Sequence, residues 1–328
     1  MIILNAKDVH STLPMSATIE AMKQAYTALS GGQTEIPLRS HLAISTHNAS
    51  SLFMPAYVKT KQTEALAVKT VSLFPGNLDK GLPLIHAVVL VLEANSGRPI
   101  ALLEGSVLTA IRTGAASGAA TDVLARPDAK TVAIFGAGVQ GRTQLEAVCQ
   151  VRDIETVWVL DPDIQKAKAF VEDLSGKEQI PSDIRVATDP EKVVKRADIV
   201  CTATTSKVPV YPAEAIQPGT HINGIGSYTL EMVENPPELY NRACAFVDSR
   251  KAVLAEAGET VAAINRNILY VEEIAELGEV ILSKRPGRFS EDQITFFKSV
   301  GVAIQDAIAA QLALKNAQEM KLGQYVNF

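Results

Sequence analysis

Apolar and polar positions follow two different rhythms along this chain, and the rhythm changes near residue 128. Ile2, Ile3 and Leu4 make a short apolar start. A helical pattern follows, with Ser16 placed to cap a helix to about Leu29 and Gly31 and Gly32 placed to end it. Residues 36–104 read as strands. Apolar and small or polar positions partly alternate over 65–74, and two further runs, 86–93 and 99–103, flank the turn signal Asn95-Ser96-Gly97. Connections this short predict antiparallel pairing. A helix rich in small residues then runs from Ser106 to about Leu124.

Beyond residue 128 the runs become short and almost wholly apolar: 131–135, 156–160, 197–201, 221–225 and 243–247. Helical patterns lie between most of them, as at 140–152 and 164–174. Such alternation predicts a parallel sheet buried on both faces, covered by helices. The tail from Phe296 to about Met320 reads as helix and is expected to return to the first domain.

Composition narrows the class. At ~100–200 residues per domain, 328 residues predict two domains. Hydrophobic residues at 47% and charged residues at 20% describe an ordinary globular chain. A net charge of −5 offers no broad basic face for nucleic acid. Cys149, Cys201 and Cys244 lie far apart with no CxxC spacing, which points to a reducing compartment and away from a disulfide framework. The five histidines form no HxxxH or HExxH pair, so no metal site is expected. No apolar run reaches the ~18 residues of a membrane span. A soluble cytoplasmic protein is expected.

Gly136-Ala137-Gly138-Val139-Gln140-Gly141 is a GxGxxG that follows a buried-strand pattern and opens a helix. Asp161 closes the next strand 20 residues after Gly141. That context predicts a dinucleotide site. Gly136 permits the tight turn, Gly138 lets backbone approach a pyrophosphate, and Gly141 lets helix pack on strand. The helix N-terminus offers N–H groups to the phosphates. Asp161 suits the ribose hydroxyls and repels a 2′-phosphate, which favours NAD, with NADP as the alternative. Asp161 also fits a helix N-cap, since Pro162 follows.

Three cations stand in apolar or small surroundings: Arg39 after Ile36-Pro37-Leu38, Lys69 within a strand, and Arg112 within the small-residue helix. A buried charge needs a partner. The partners are either acids of the chain, such as Glu93 or Glu104, or a substrate carboxylate, which an arginine fork suits.

These residues carry a resemblance. Ile36-Pro-Leu-Arg39, Ala67-Val-Lys69, Ala101-Leu-Leu-Glu-Gly105, Leu108-Thr-Ala-Ile-Arg-Thr-Gly-Ala115, the glycine turn, Ile222-Asn-Gly-Ile-Gly226, Ile274-Ala-Glu-Leu-Gly-Glu279 and Phe297-Lys-Ser-Val-Gly301 resemble the ornithine cyclodeaminase/mu-crystallin family over essentially the whole chain. The resemblance implies an α/β chain in which a Rossmann-type doubly wound parallel sheet, residues 121–302, is inserted into an α+β substrate-binding and dimerisation domain, residues 1–120 plus 303–328. It implies a homodimer and hydride transfer between a nicotinamide and an amino or imino acid. Position by position, Arg39 and Arg112 fall on the arginines that hold the substrate carboxylate. Lys69 falls on the lysine beside the reacting carbon and nitrogen. Thr113, Thr202, Ala203, Thr204 and Gly226 fall near the cofactor, with Ser227 beside the substrate.

One departure bears on the reaction. Ornithine cyclodeaminases and archaeal alanine dehydrogenases of the family carry an aspartate shortly after the glycine matching Gly226. Here the chain reads Ser227-Tyr228-Thr229-Leu230-Glu231. This resembles the branch that reduces cyclic imines, Δ1-pyrroline-2-carboxylate to L-proline and Δ1-piperideine-2-carboxylate to L-pipecolate. Glu231, three residues after Tyr228, could substitute, but its expected place on a helix beyond the loop disfavours it. The alternatives are ornithine cyclodeaminase, alanine-type dehydrogenase, or a mu-crystallin-like ligand-binding protein. In the reductase reading, Lys69 is the proton donor to the imine nitrogen, with its pKa lowered by burial and by the two arginines.

Overall fold

The computed structural model describes residues 1–327, the side chain of Leu78 excepted. The chain divides into two compact units. One is Met1–Arg112 with the chain from Val302 onward, and the other is Thr113–Gly301.

The first unit opens with β1 (Ile2–Leu4), α1 (Ala6–Thr12) and α2 (Met15–Ser30). Then come β2 (Thr34–Glu35), β3 (Ser40–Ile44), β4 (Ala49–Lys59), β5 (Glu64–Leu73), β6 (Ile85–Leu92), β7 (Pro99–Glu104) and α3 (Gly105–Leu124). β4, β5, β6 and β7 pair antiparallel in that order, and β1 joins β7 in parallel. α1 is an element the apolar pattern does not signal. Asn5 and Asp8 close a capping box at its start, each side chain bonding the other's backbone N–H. Ser16 is therefore no cap: the next helix begins at Met15, and Ser16 lies inside it. α2 buries Met15, Ile19, Met22 and Tyr26, a three- and four-residue spacing that makes one apolar stripe.

The second unit comprises β8 (Thr131–Phe135), α4 (Val139–Val151), β9 (Thr156–Leu160), α5 (Ile164–Leu174), β10 (Ile184–Val186), α6 (Pro190–Val194), β11 (Ile199–Thr202), β12 (His221–Gly224), β13 (Ala243–Val247), α7 (Arg250–Glu256), α8 (Gly258–Asn265), β14 (Ala275–Glu276), α9 (Leu277–Ile281) and β15 (Ile294–Lys298). Its strands lie in the order β10-β9-β8-β11-β12-β15-β13-β14, and every pairing is parallel. The order reverses between β8 and β11. The carboxyl ends of these two strands are where a doubly wound sheet binds its ligand. The core on the β8–β9 side packs Val132, Ile134, Val157 and Val159 against Leu145, Val148 and Phe170 of the flanking helices.

The chain then returns to the first unit as α10 (Ala303–Met320) and β16 (Gln324–Tyr325), which pairs antiparallel with β1. The tail is thus not helical from Phe296. Residues 294–298 form a strand buried at every position, slotted between β12 and β13. A fully buried strand lacks the alternation that separates strand from buried helix. The division within α3 falls at Arg112/Thr113, ahead of the expected residue 121. The later residues of α3 belong with the second unit: Thr121 Oγ1 accepts from Asn223 Nδ2 at 3.0 Å, and Gly114 lies so close to the Thr143 backbone that a Cβ there would collide with it.

Candidate active site

In the first unit the alternation of β5 decides where Lys69 points. Ala65, Ala67, Lys69 and Val71 share its buried face, which α10 covers. Lys69 is 2% exposed, and its Nζ lies 2.7 Å from Asp306 Oδ2. Arg112, buried on α3, donates from Nε to Asp306 Oδ1 at 3.0 Å and from Nη1 to Gln305 Oε1 at 2.9 Å. Gln305 is itself held: its Oε1 accepts from the Val302 N–H, and its Nε2 donates to the Tyr26 hydroxyl, both at 2.8 Å. Arg39, half-buried ahead of β3, lies close enough for its charge to act on both Lys69 and Asp306. The structure therefore brings Arg39, Lys69 and Arg112 together.

Three cations face one acid, and electrostatics follows. Burial pushes the Lys69 ammonium down to about 7; Asp306 opposes this, while Arg112 and Arg39 push the same way. Burial alone would raise Asp306, but Lys69 and Arg112 outweigh it and hold the carboxyl below its usual range. Asp306 is thus the ionised member and Lys69 carries the labile proton. Arg112 Nη2 has no hydrogen-bond partner among the described residues, so part of its fork is open to a further anion. Neither acid expected from sequence is the partner. Glu93 pairs with Arg98 and Ser96, and Glu104 caps α3 by accepting from the Ser106 and Val107 N–H groups. Asp306 and Gln305 escaped the sequence reading, although two adjacent polar residues inside an otherwise apolar helical run were a usable signal.

In the second unit the glycine turn follows β8 directly. Gly136 has φ +97°, and a Cβ on it would come 2.6 Å from the Ala203 carbonyl oxygen. A Cβ on Gly141 would collide with the Gly136 carbonyl. A Cβ on Gly138 would meet nothing, so open space lies beside this N-cap, and no side chain caps α4. Val139 is exposed and Gln140 Oε1 is buried without a hydrogen-bond partner. Free first-turn N–H groups facing open space fit a pyrophosphate. Asp161 follows β9; its Oδ2 accepts from the Ala137 N–H and its Oδ1 from the Asp163 N–H, each at 2.9 Å. It is not the cap of α5, a role Asp163 takes. Its oxygens keep lone pairs for ribose hydroxyls.

Of the remaining expected residues, Thr204, Gly226 and Ser227 gather around one buried acid. Glu234 Oε2 accepts from Thr204 N at 2.8 Å and Thr204 Oγ1 at 3.0 Å, and its Oε1 accepts from Gly226 N at 2.5 Å and Ser227 N at 3.2 Å. Thr202, buried at the end of β11, accepts from Asn235 Nδ2. The Thr113 carbonyl accepts from Gln144 on α4 at 3.3 Å. Ser227 is fully buried; its hydroxyl bonds Glu259 Oε2 at 2.5 Å and the Met232 carbonyl at 2.9 Å. Its side chain is occupied by the protein rather than offered to a substrate. Lys298 bridges the Ser227 carbonyl and Glu259. Glu231 lies in a turn, not a helix, exposed and paired with Lys207.

The profile of the ornithine cyclodeaminase/mu-crystallin family matches residues 1–321. The chain belongs to this family. It is 36% identical to the Delta(1)-pyrroline-2-carboxylate reductase of Bacillus cereus over the whole of both chains. Among solved structures it is similar to the Delta(1)-pyrroline-2-carboxylate reductase of Thermococcus litoralis in complex with NADH and L-proline, at 41% identity and a TM-score of 0.94, covering 99% of this chain and 100% of that one. It is also similar to an archaeal alanine dehydrogenase dimer with bound NAD, at 32% identity and a TM-score of 0.92, covering 100% and 99%.

Proposed function

We propose that this chain is an NADH-dependent reductase of cyclic imino acids, converting Δ1-pyrroline-2-carboxylate to L-proline and accepting Δ1-piperideine-2-carboxylate as a larger analogue. The observation that carries this reading is the buried Lys69, with a pKa of about 7, beside the partly open fork of Arg112. The full-length likeness to two reductases of that imino acid supports it.

Arg112, through its open Nη2, and Arg39 hold the substrate carboxylate as paired N–H donors. Lys69 delivers a proton to the ring nitrogen, because the iminium form is the better hydride acceptor. NADH, when bound, would supply the hydride to the imine carbon. Gly136, Gly138, Val139, Gln140 and Gly141 cradle its pyrophosphate, and Asp161 holds the adenosine ribose. Thr113, Thr202, Ala203, Thr204 and Gly226 complete the cofactor side.

We extend the reading to a cytoplasmic homodimer acting in proline metabolism. Free thiols at Cys149, Cys201 and Cys244 suit a reducing compartment. On the face of the first-unit sheet opposite Lys69, Phe53 and Val88 flank Thr70 across three strands and stand 39% and 45% exposed, an apolar row that suits a second copy.

The test is NADH oxidation with pyrroline-2-carboxylate, piperideine-2-carboxylate, and pyruvate plus ammonia, with ornithine and NAD in the other direction. Turnover of the imines without ammonia is expected. Ammonia release from ornithine, or a requirement for ammonia, overturns the assignment.

A further inference from the structure

Asp306 is 1% exposed and lies in the first turn of α10, where Lys69 and Arg112 meet its carboxylate. Its two oxygens divide the work, Oδ2 to the Lys69 ammonium at 2.7 Å and Oδ1 to Arg112 Nε at 3.0 Å. Gln305, next to it on the same helix, takes Arg112 Nη1 and is braced by Tyr26 and the Val302 N–H. The guanidinium is therefore held at Nε and at Nη1, which leaves Nη2 as its open donor. An ammonium on a flexible stem has no such geometry of its own.

We propose that Asp306 is a positioning residue for the reaction: it fixes Lys69 and Arg112 as one donor array, so that the proton donor and the carboxylate fork present a constant spacing to the substrate. This rests on the proposed imine reduction. Asp306 forms no part of the substrate contact and acts through the two side chains it holds. The charged groups facing Lys69 are Asp306 on α10, Arg112 on α3 and Arg39 before β3. Asp306 is the one acid among them, and it opposes the loss of the lysine proton. Removing its charge leaves burial and two arginines, all acting to deprotonate Lys69.

The experiment compares wild type with Asp306→Asn and Asp306→Glu as full-length proteins. kcat/KM for pyrroline-2-carboxylate is followed against pH, and the lysine side chains are titrated by carbon-13 NMR, with Lys69→Met to assign the signal. In Asp306→Asn the alkaline limb and the Lys69 titration should both move to lower pH, by about one to three units as expected for losing a neighbouring opposite charge. The titration of the imine itself is common to both proteins and cancels. In Asp306→Glu the charge stays but the longer arm displaces both donors. There the limb should stay within half a unit of wild type while KM rises at least fivefold. A limb and lysine titration unmoved in folded, NADH-binding Asp306→Asn overturns the proposal, as does a wild-type KM in Asp306→Glu. If wild type itself reduces no imine, the functional reading fails, and the lysine titration still decides whether Asp306 governs Lys69.

Discussion

Lys69 and Arg112 are buried, 2% and 5% exposed, so each substitution there should report on chemistry rather than on surface packing. Lys69→Ala is expected to bind NADH normally and to reduce imine at least ~100-fold more slowly, the usual size of a general-acid contribution. Lys69→Arg should not restore turnover, because a guanidinium holds its proton. NADH fluorescence titration beside stopped-flow turnover checks both. Arg112→Ala should lose more than ~2 kcal/mol of transition-state binding, read from kcat/KM. Arg112→Lys should also be impaired, since an ammonium cannot satisfy Asp306, Gln305 and a carboxylate in one plane. A third residue governs acid stability. His221 is fully buried, its Nε2 bonded to Asn223 Oδ1 and its Nδ1 to the Thr295 hydroxyl. Burial, with Arg288 nearby, pushes its pKa down from 6.5 to about 3. The unfolded chain therefore binds a proton that the folded chain refuses between these values. The contribution of His221 to stability is complete above pH 6.5 and falls by about 1.4 kcal/mol for each pH unit below it. Thermal melts from pH 7 to 5 should show this slope, and His221→Gln should flatten it.

Elements succeed here or fail at their ends. The turn from β8 into α4 works only because Gly141 lets the helix start against the Gly136 carbonyl. Gly141→Ala should cost NADH affinity at least tenfold while unit 1 remains folded, as measured by isothermal titration and hydrogen exchange. Gly226 is constrained in the same way, since a Cβ there would collide with the Thr204 backbone while Glu234 holds both loops. Local patterns announced most of the elements: the alternation of β5, the almost wholly apolar β8, β9 and β13, and the small-residue α3 all lie within a few residues of their expected places. α1 was illegible because its start is a polar capping box and not an apolar stripe. β15 was misread because burial on both faces removes the period that separates strand from helix.

At the scale of the whole molecule, α10 closes the first unit after the second has been completed. Its buried Ile304 and Ile308 pack with the helices and sheet of that unit and contribute roughly 1.5–3 kcal/mol each. Residues 113–301 expressed alone should fold and bind NADH, by circular dichroism and nucleotide fluorescence. Residues 1–112 alone should not fold, because the face that carries Lys69 loses its cover and Lys69 loses Asp306. The proposed dimer has its own test: Phe53→Glu with Val88→Glu should shift the mass by light scattering from two chains to one.

The residues alone determined the family, the α/β class, the glycine turn with Asp161, and the three cations, because each is carried by a local run or a local spacing. Tertiary structure alone decided which acid answers those cations. Asp306 lies 237 residues after Lys69 and 194 after Arg112. No local pattern can join positions that far apart. They meet because the chain leaves to build a second unit and then returns as α10 over the buried face of β5.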